Sequence, residues 1–175
     1  MSLDELKVKH PSIVCTLLVK SVFDDSDKVW IWAEDYHLVS KNKCLTAGEV
    51  QNKVFAYSND TALYISLKAV KLYSGYSRVL TKGRYLAFYV NTPSPGIGSM
   101  FGFVGAAIEA SMRANDSKKS LHVVDLNDGT RYVVDSSYIE KQLKSLPALH
   151  ENFLTESNPN NYNTQIRYLQ ELNEQ

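Results

Sequence analysis

The 175-residue chain carries 19 basic and 19 acidic residues, and 44% of it is hydrophobic against 22% charged. That balance excludes a global field drawing the chain toward nucleic acid or an anionic membrane, and the composition excludes the polar, highly charged profile of disorder. A chain of about 150 residues buries roughly 70% of its unfolded surface, so one domain with a real core is expected over residues 1–175.

The N-terminal MSLDELKVKH has acidic residues and no apolar stretch, so it shows no signal peptide. It reads as cytoplasmic as it stands, and as an envelope protein if a signal has been removed. Ser12 to Phe23 is rich in Ile, Val, Leu and Thr and stops at the polar cluster Asp24-Asp25-Ser26-Asp27. Lys28 to Val39 is a second strand-like run, and the two are expected to pair antiparallel. Cys15 and Cys44 have neither CxxC nor histidine-rich spacing, which argues against a zinc site. Two reduced, buried thiols are favoured over the single bridge that an oxidising compartment would permit.

Thr46-Ala47-Gly48-Glu49 matches a capping box and predicts a short helix to about Tyr57, although Val54, Phe55 and Tyr57 also suit a strand. Thr61 to Tyr73 alternates Leu63, Ile65, Leu67 and Ala69 with Tyr64, Ser66 and Lys68, predicting a strand with one buried and one partly wet face. Ser77 to Leu80 and Arg84 to Val90, joined by Thr81-Lys82-Gly83, predict a hairpin. The prolines of TPSPG then end the strand.

Between Asp60 and Glu109 there is no acidic residue, while Lys68, Lys71, Arg78, Lys82 and Arg84 supply positive charge among Tyr64, Tyr73, Tyr76, Tyr85 and Tyr89. The plain reading is a solvated sheet face whose lysines discourage edge pairing. The competing reading is a binding surface for an acidic partner, made by Lys68, Lys71, Tyr73, Tyr76, Arg78, Lys82 and Arg84. Nucleic acid is disfavoured, because strand alternation divides these residues between two faces.

SPGIGSMFGFVGAAIEASMRAN places Gly98, Gly102, Ala106, Ala110 and Ala114 four apart. Such a stripe on a helix lets another backbone approach closely, while Phe101, Val104, Ile108 and Met112 make an apolar opposite face. The uncharged run from Tyr85 to Ile108 is split by TPSPG, so neither part reaches the roughly 20 residues of a membrane span. Packing or docking through Gly98, Phe101, Gly102, Gly105, Ala106 and Ala110 is favoured over insertion. Gly96, Gly98 and Gly102 give GxGxxxG rather than a phosphate-loop spacing, and no nucleotide or other cofactor is expected.

LHVVDL and RYVVD around Asn127-Asp128-Gly129-Thr130 predict a hairpin over Leu121 to Asp135. Ser137 with Glu140 suggests a second capping box, with Ile139, Leu143 and Leu146 as the apolar stripe up to Pro147. Leu149 and Phe153 continue a short helix, Asn158-Pro159-Asn160-Asn161 breaks the chain, and Ile166, Leu169 and Leu172 mark a last amphipathic helix. The order of elements implies an α+β fold: a mainly antiparallel sheet, an inserted small-residue helix, and C-terminal helices packed on the sheet.

None of His10, His37, His122 and His150 stands at metal-ligand spacing from another, so no metal is expected. Asp35 with His37 and His122 with Asp125 are nearby acid and imidazole pairs, but no nucleophile motif accompanies them and no catalytic residue is assigned.

FGFVGAAIEASMRAN resembles the glycine-zipper stretches of small bacterial cell-envelope proteins of unknown function. The tail, from DLNDGTRYVVD through IEKQLKSLPALHENF to IRYLQELN, is similar in layout to their C-terminal regions. The resemblance implies a bacterial origin and an envelope address. The expectation is therefore a non-enzymatic module that binds another protein. The alternatives are a membrane-associated or self-associating protein using residues 97–114, with an anionic ligand, a membrane surface or a second copy as partner, and an unrecognised hydrolase or ligand-binding enzyme.

Overall fold

The computed structural model describes residues 2–7, 15–21, 36–59, 61–92 and 118–175. The fold is α+β, with two antiparallel sheets and several helices. The stretch from Ser94 to Asn115, with Gly98, Phe101, Gly102, Gly105, Ala106 and Ala110, lies outside the described residues, as do His10 and Asp35.

Helix α1 (Leu3–Lys7) is followed by β1 (Leu17–Ser21) and β2 (Tyr36–Ser40), which pair antiparallel as expected, from Leu17 opposite Ser40 to Ser21 opposite Tyr36. The two-residue period turns Leu17 and Leu38 inward, while Leu18 and Val39, directly opposite each other, are 43% and 42% exposed on the outer face. The cysteines are a correction. Cys15 and Cys44 form a disulfide, since the β1–β2 register carries the start of β1 beside the turn after β2 and brings their Cα atoms to 6.2 Å.

Helix α2 (Ala47–Lys53) begins with the expected capping box: Glu49 N–H donates to Thr46 Oγ1 at 3.2 Å, and Thr46 N–H donates to Glu49 Oε2 at 3.0 Å. The Thr46 N–H, the Lys53 ammonium and the Thr46 hydroxyl push the Glu49 carboxyl down to about 2. The helix stops at Lys53 rather than reaching Tyr57, and Ala56–Ser58 becomes strand β3. Val54 and Val50 pack with Leu17 and Leu38 in one cluster, which fixes where the chain turns.

Strand β4 (Leu63–Ser66) is shorter than the alternation suggests, and its faces are a second correction. Tyr64, Ile65 and Ser66 are all buried, because Tyr64 packs with α2 and Ile65 packs with the second sheet. The chain then folds back, with Leu67 N–H donating to Gly75 C=O and Leu72 N–H to Leu67 C=O, both at 2.9 Å, and with Lys71 at φ 62°. Strand β5 (Tyr76–Arg78) completes a five-stranded sheet in the order β1-β2-β5-β4-β3.

Strand β6 (Tyr85–Thr92) belongs to a second sheet with β7 (Lys118–Asp125) and β8 (Thr130–Val133), in the order β6-β7-β8. The expected hairpin across Thr81-Lys82-Gly83 is therefore a bridge between sheets. Val79 pairs with Phe88, Leu80 N–H donates to Ala87 C=O at 2.7 Å, and Thr81 Oγ1 donates to Tyr85 C=O at 2.6 Å while accepting from Ala87 N–H at 2.9 Å. The β7–β8 hairpin forms where Asp-Gly places it, with Gly129 at φ 71°.

This second sheet is the middle layer. Tyr85, Ala87, Leu121 and Val123 face the C-terminal helices α3 (Ser136–Leu143), α4 (Pro147–Leu154) and α5 (Tyr162–Asn173), meeting Ile139, Leu143, Phe153, Tyr168 and Leu169. Leu86, Phe88, Val90 and Val124 face Ile65, Leu67, Val70 and Val79. Helix α3 is capped by Asp135, whose Oδ1 accepts from Tyr138 N–H at 2.7 Å, and not by the Ser137 and Glu140 box. The helix starts as soon as the chain leaves β8, which leaves Ser137 already inside its first turn. Asn173 ties α5 to β6: Tyr85 N–H donates to its Oδ1 at 2.7 Å and its Nδ2 donates to Tyr85 C=O at 3.0 Å.

Candidate functional site

The crossover from β5 to β6 leaves an open cleft where the two sheets part. It has a volume of about 230 Å³ and is lined by Tyr36, Ser77, Arg78, Leu80, Tyr89 and Lys119. Each wall is held by the fold. The Tyr36 ring meets Tyr64 edge-on with centroids 5.0 Å apart, and Ser77 Oγ donates to Tyr89 C=O at 2.9 Å, joining β5 to β6. Tyr89 lies between the Lys119 ammonium, 4.2 Å from its ring centroid, and the Tyr162 ring at 5.7 Å. The Tyr162 hydroxyl donates to Lys119 C=O, so α5 supports the cationic wall.

The cleft combines two tyrosine rings with a guanidinium and an ammonium. Arg78 is exposed and makes no ion pair with any described residue. A second groove, of about 390 Å³, runs between α2 and the turn after β4. Its cations are committed, because Lys53 is paired with Glu49 at 3.0 Å and Lys68 Nζ donates to Asn52 Oδ1 at 2.7 Å. Arg78 thus makes the smaller cleft the better anion receptor among the described residues.

The seven residues expected on one binding surface are dispersed. Arg78 lines the cleft, while Lys68 and Lys71 are exposed around the turn after β4 and Lys82 is exposed on the link between sheets. Tyr73 is half-buried, its hydroxyl donating to Asn91 C=O at 3.4 Å. Tyr76 is in the core, its hydroxyl donating to Val50 and Val54 C=O at 2.8 and 3.1 Å, and burial pushes that hydroxyl up to about 12. Arg84 is engaged by Asp125, donating from Nε at 3.0 Å and from NH2 at 2.7 Å, and stacks on Tyr85. Tyr36, Ser77, Leu80 and Lys119 were not anticipated. Arg78, expected on the binding surface, and Tyr89, among the interleaved tyrosines, pointed to this place.

Asp125 belongs to Arg84, so the nearby His122 and Asp125 do not pair. His122 instead joins a buried relay. Arg131 NH1 donates to His122 Nδ1 at 2.7 Å, His122 Nε2 donates to Ser120 Oγ at 2.9 Å, and Ser120 Oγ donates to Val90 C=O at 3.3 Å. Burial and then the Arg131 charge lower His122 to about 4. A serine nucleophile needs an acid on the far ring nitrogen to raise the imidazole's basicity, and here a cation lowers it, so this relay braces β6, β7 and β8 and activates nothing. His150 stands 3.8 Å from Glu140. Among the described residues no three His, Cys, Asp or Glu gather as metal ligands, and no helix is long and apolar enough to cross a membrane.

The model of DUF6563, a family of unknown function, matches residues 1–175. The chain belongs to the DUF6563 family. No curated protein and no solved structure matches it. For a DUF6563 chain the functional reading therefore rests on the site itself.

Proposed function

We propose that this DUF6563 chain is a non-enzymatic binding protein of the bacterial cell envelope that grips an acidic segment of a protein partner in the cleft between its sheets. The observation that carries the reading is Arg78, a guanidinium without an acidic partner among the described residues, set beside the Tyr36 and Tyr89 rings and Lys119. Arginine and tyrosine are the residues that most often anchor protein contacts, since the fork of N–H donors matches a carboxylate and the ring covers it from water. Size favours a side chain over a free cofactor, because pockets that bury drug-sized ligands run to roughly 300–1,000 Å³. The Cys15–Cys44 disulfide supports an oxidising, envelope setting, in line with the resemblance of the glycine-zipper stretch to envelope proteins.

The test is titration of the protein into a fluorescein-labelled peptide rich in Glu and Asp with one aromatic residue, followed by polarisation. Saturable binding that weakens with salt is expected, and Arg78→Ala should weaken it about tenfold, as loss of a charge-assisted hydrogen bond does. Binding unaffected by Arg78→Ala, or flotation with anionic vesicles in place of peptide binding, overturns the reading.

A further inference from the structure

The geometry points to a second site, where β1 and β2 meet the turn before α2: we infer that Cys15–Cys44 is a thiol–disulfide exchange site that a dithiol reductant opens, with Ser40 stabilising the thiolates released. Cys44 is exposed and Cys15 half-buried, so a nucleophilic thiolate reaches the Cys44 sulfur first. Ser40 Oγ lies 3.2 Å from Cys44 Sγ and 3.6 Å from Cys15 Sγ. The same oxygen accepts from Leu45 N–H at 3.4 Å, which occupies a lone pair and leaves its proton to be donated to sulfur. Lys41 and Lys43 are exposed in the same turn as Cys44 and add positive charge, the setting in which cysteine thiolates are favoured.

The chemistry balances with the dithiol as reductant. Its first thiolate attacks Cys44 Sγ, the Sγ–Sγ bond breaks, and Cys15 leaves as a thiolate beside the Ser40 hydroxyl. Its second thiolate attacks the reductant's own sulfur in the mixed disulfide and releases Cys44 as a thiolate, nearer to that hydroxyl. Two electrons pass to the protein disulfide, both protein thiolates take up a proton, and the reductant ends as a disulfide. Opening the bond unfastens Cys15 from the turn and leaves β1, an edge strand of its sheet, held by its pairing with β2 and by Tyr57, whose hydroxyl donates to Leu17 C=O at 2.9 Å.

Reduction by dithiothreitol, followed by quenched thiol labelling of the full chain, tests this. The oxidised protein should label at neither cysteine, and reduction should expose both. Ser40→Ala should slow reduction about tenfold, because a hydrogen bond to a charged group is lost, and Ser40→Thr, which keeps the hydroxyl, should restore it. Lys41→Gln with Lys43→Gln, on an exposed turn, should slow it severalfold even if Ser40→Ala fails to fold. Free thiols in the untreated protein under denaturant, or equal rates for wild type, Ser40→Ala and the lysine variant, would overturn the inference.

Discussion

At the level of single residues, His122 is the group whose chemistry the fold changes most. An unfolded histidine takes up a proton near pH 6.5, whereas His122 in the folded chain resists it until about 4, because the proton would have to be buried beside Arg131. The unfolded state therefore binds more protons between those two values, and stability present above about pH 6.5 falls as the pH drops toward 4. The loss should reach about 3 kcal/mol, read by urea unfolding at pH 7 and pH 4. His122→Gln should be less stable at neutral pH and should flatten that part of the profile; an unchanged slope would sink the account. The His122 to Asp125 spacing legible in the sequence suggested an acid and imidazole pair. Both residues stand on β7, but three positions apart on a strand puts them on opposite faces, and each found its own guanidinium.

Elements announced by local chemistry were legible: the Asp-Gly hairpin, the Thr46 and Glu49 capping box, and the breaks at Pro147 and at Asn158 to Asn161 all stand where residue types placed them. The start of α3 shows the limit of such reasoning, because Ser137 and Glu140 satisfy the capping pattern while Asp135, two residues earlier, makes the hydrogen bond. Asp135→Ala should therefore cost about 1 kcal/mol in chemical denaturation and Ser137→Ala only a few tenths. Equal costs would return the cap to Ser137. The cleft was not legible, for a related reason. Its residues come from β2, β5, the link to β6, β6 and β7, and no spacing in the chain says that β5 and β6 part into different sheets. The basic, tyrosine-rich window marked the right neighbourhood, yet Tyr76 is buried with its hydroxyl on the carbonyls of Val50 and Val54, while Arg78, at the end of β5, is exposed.

For the whole molecule, the decisive contact ties the C-terminal helix to the middle sheet. Asn173 reaches from α5 to Tyr85, 88 positions away, and occupies both the N–H and the C=O of that residue. The approach is close enough that Gly83, at φ 139°, has no space for a methyl: a Cβ there would stand 2.6 Å from Asn173 Cγ. Asn173→Ala should cost about 1–3 kcal/mol by leaving the Tyr85 N–H unpaired, while the C=O keeps its hydrogen bond from Thr81. Gly83→Ala should cost more, and measurably less in the Asn173→Ala background, where the contacts with Cγ and Oδ1 are gone and the backbone strain and the approach to Cβ at 2.8 Å remain. Additive costs in that cycle would show that the two residues do not meet. The amide also does for β6 what a neighbouring strand would do, since it takes the one donor and one acceptor of Tyr85 that face away from β7. Leu80 and Thr81 already cover Ala87 and the Tyr85 carbonyl on that edge, so the asparagine closes the donor they leave. Until α5 docks during folding, the Tyr85 N–H is a point at which a second chain can begin to pair.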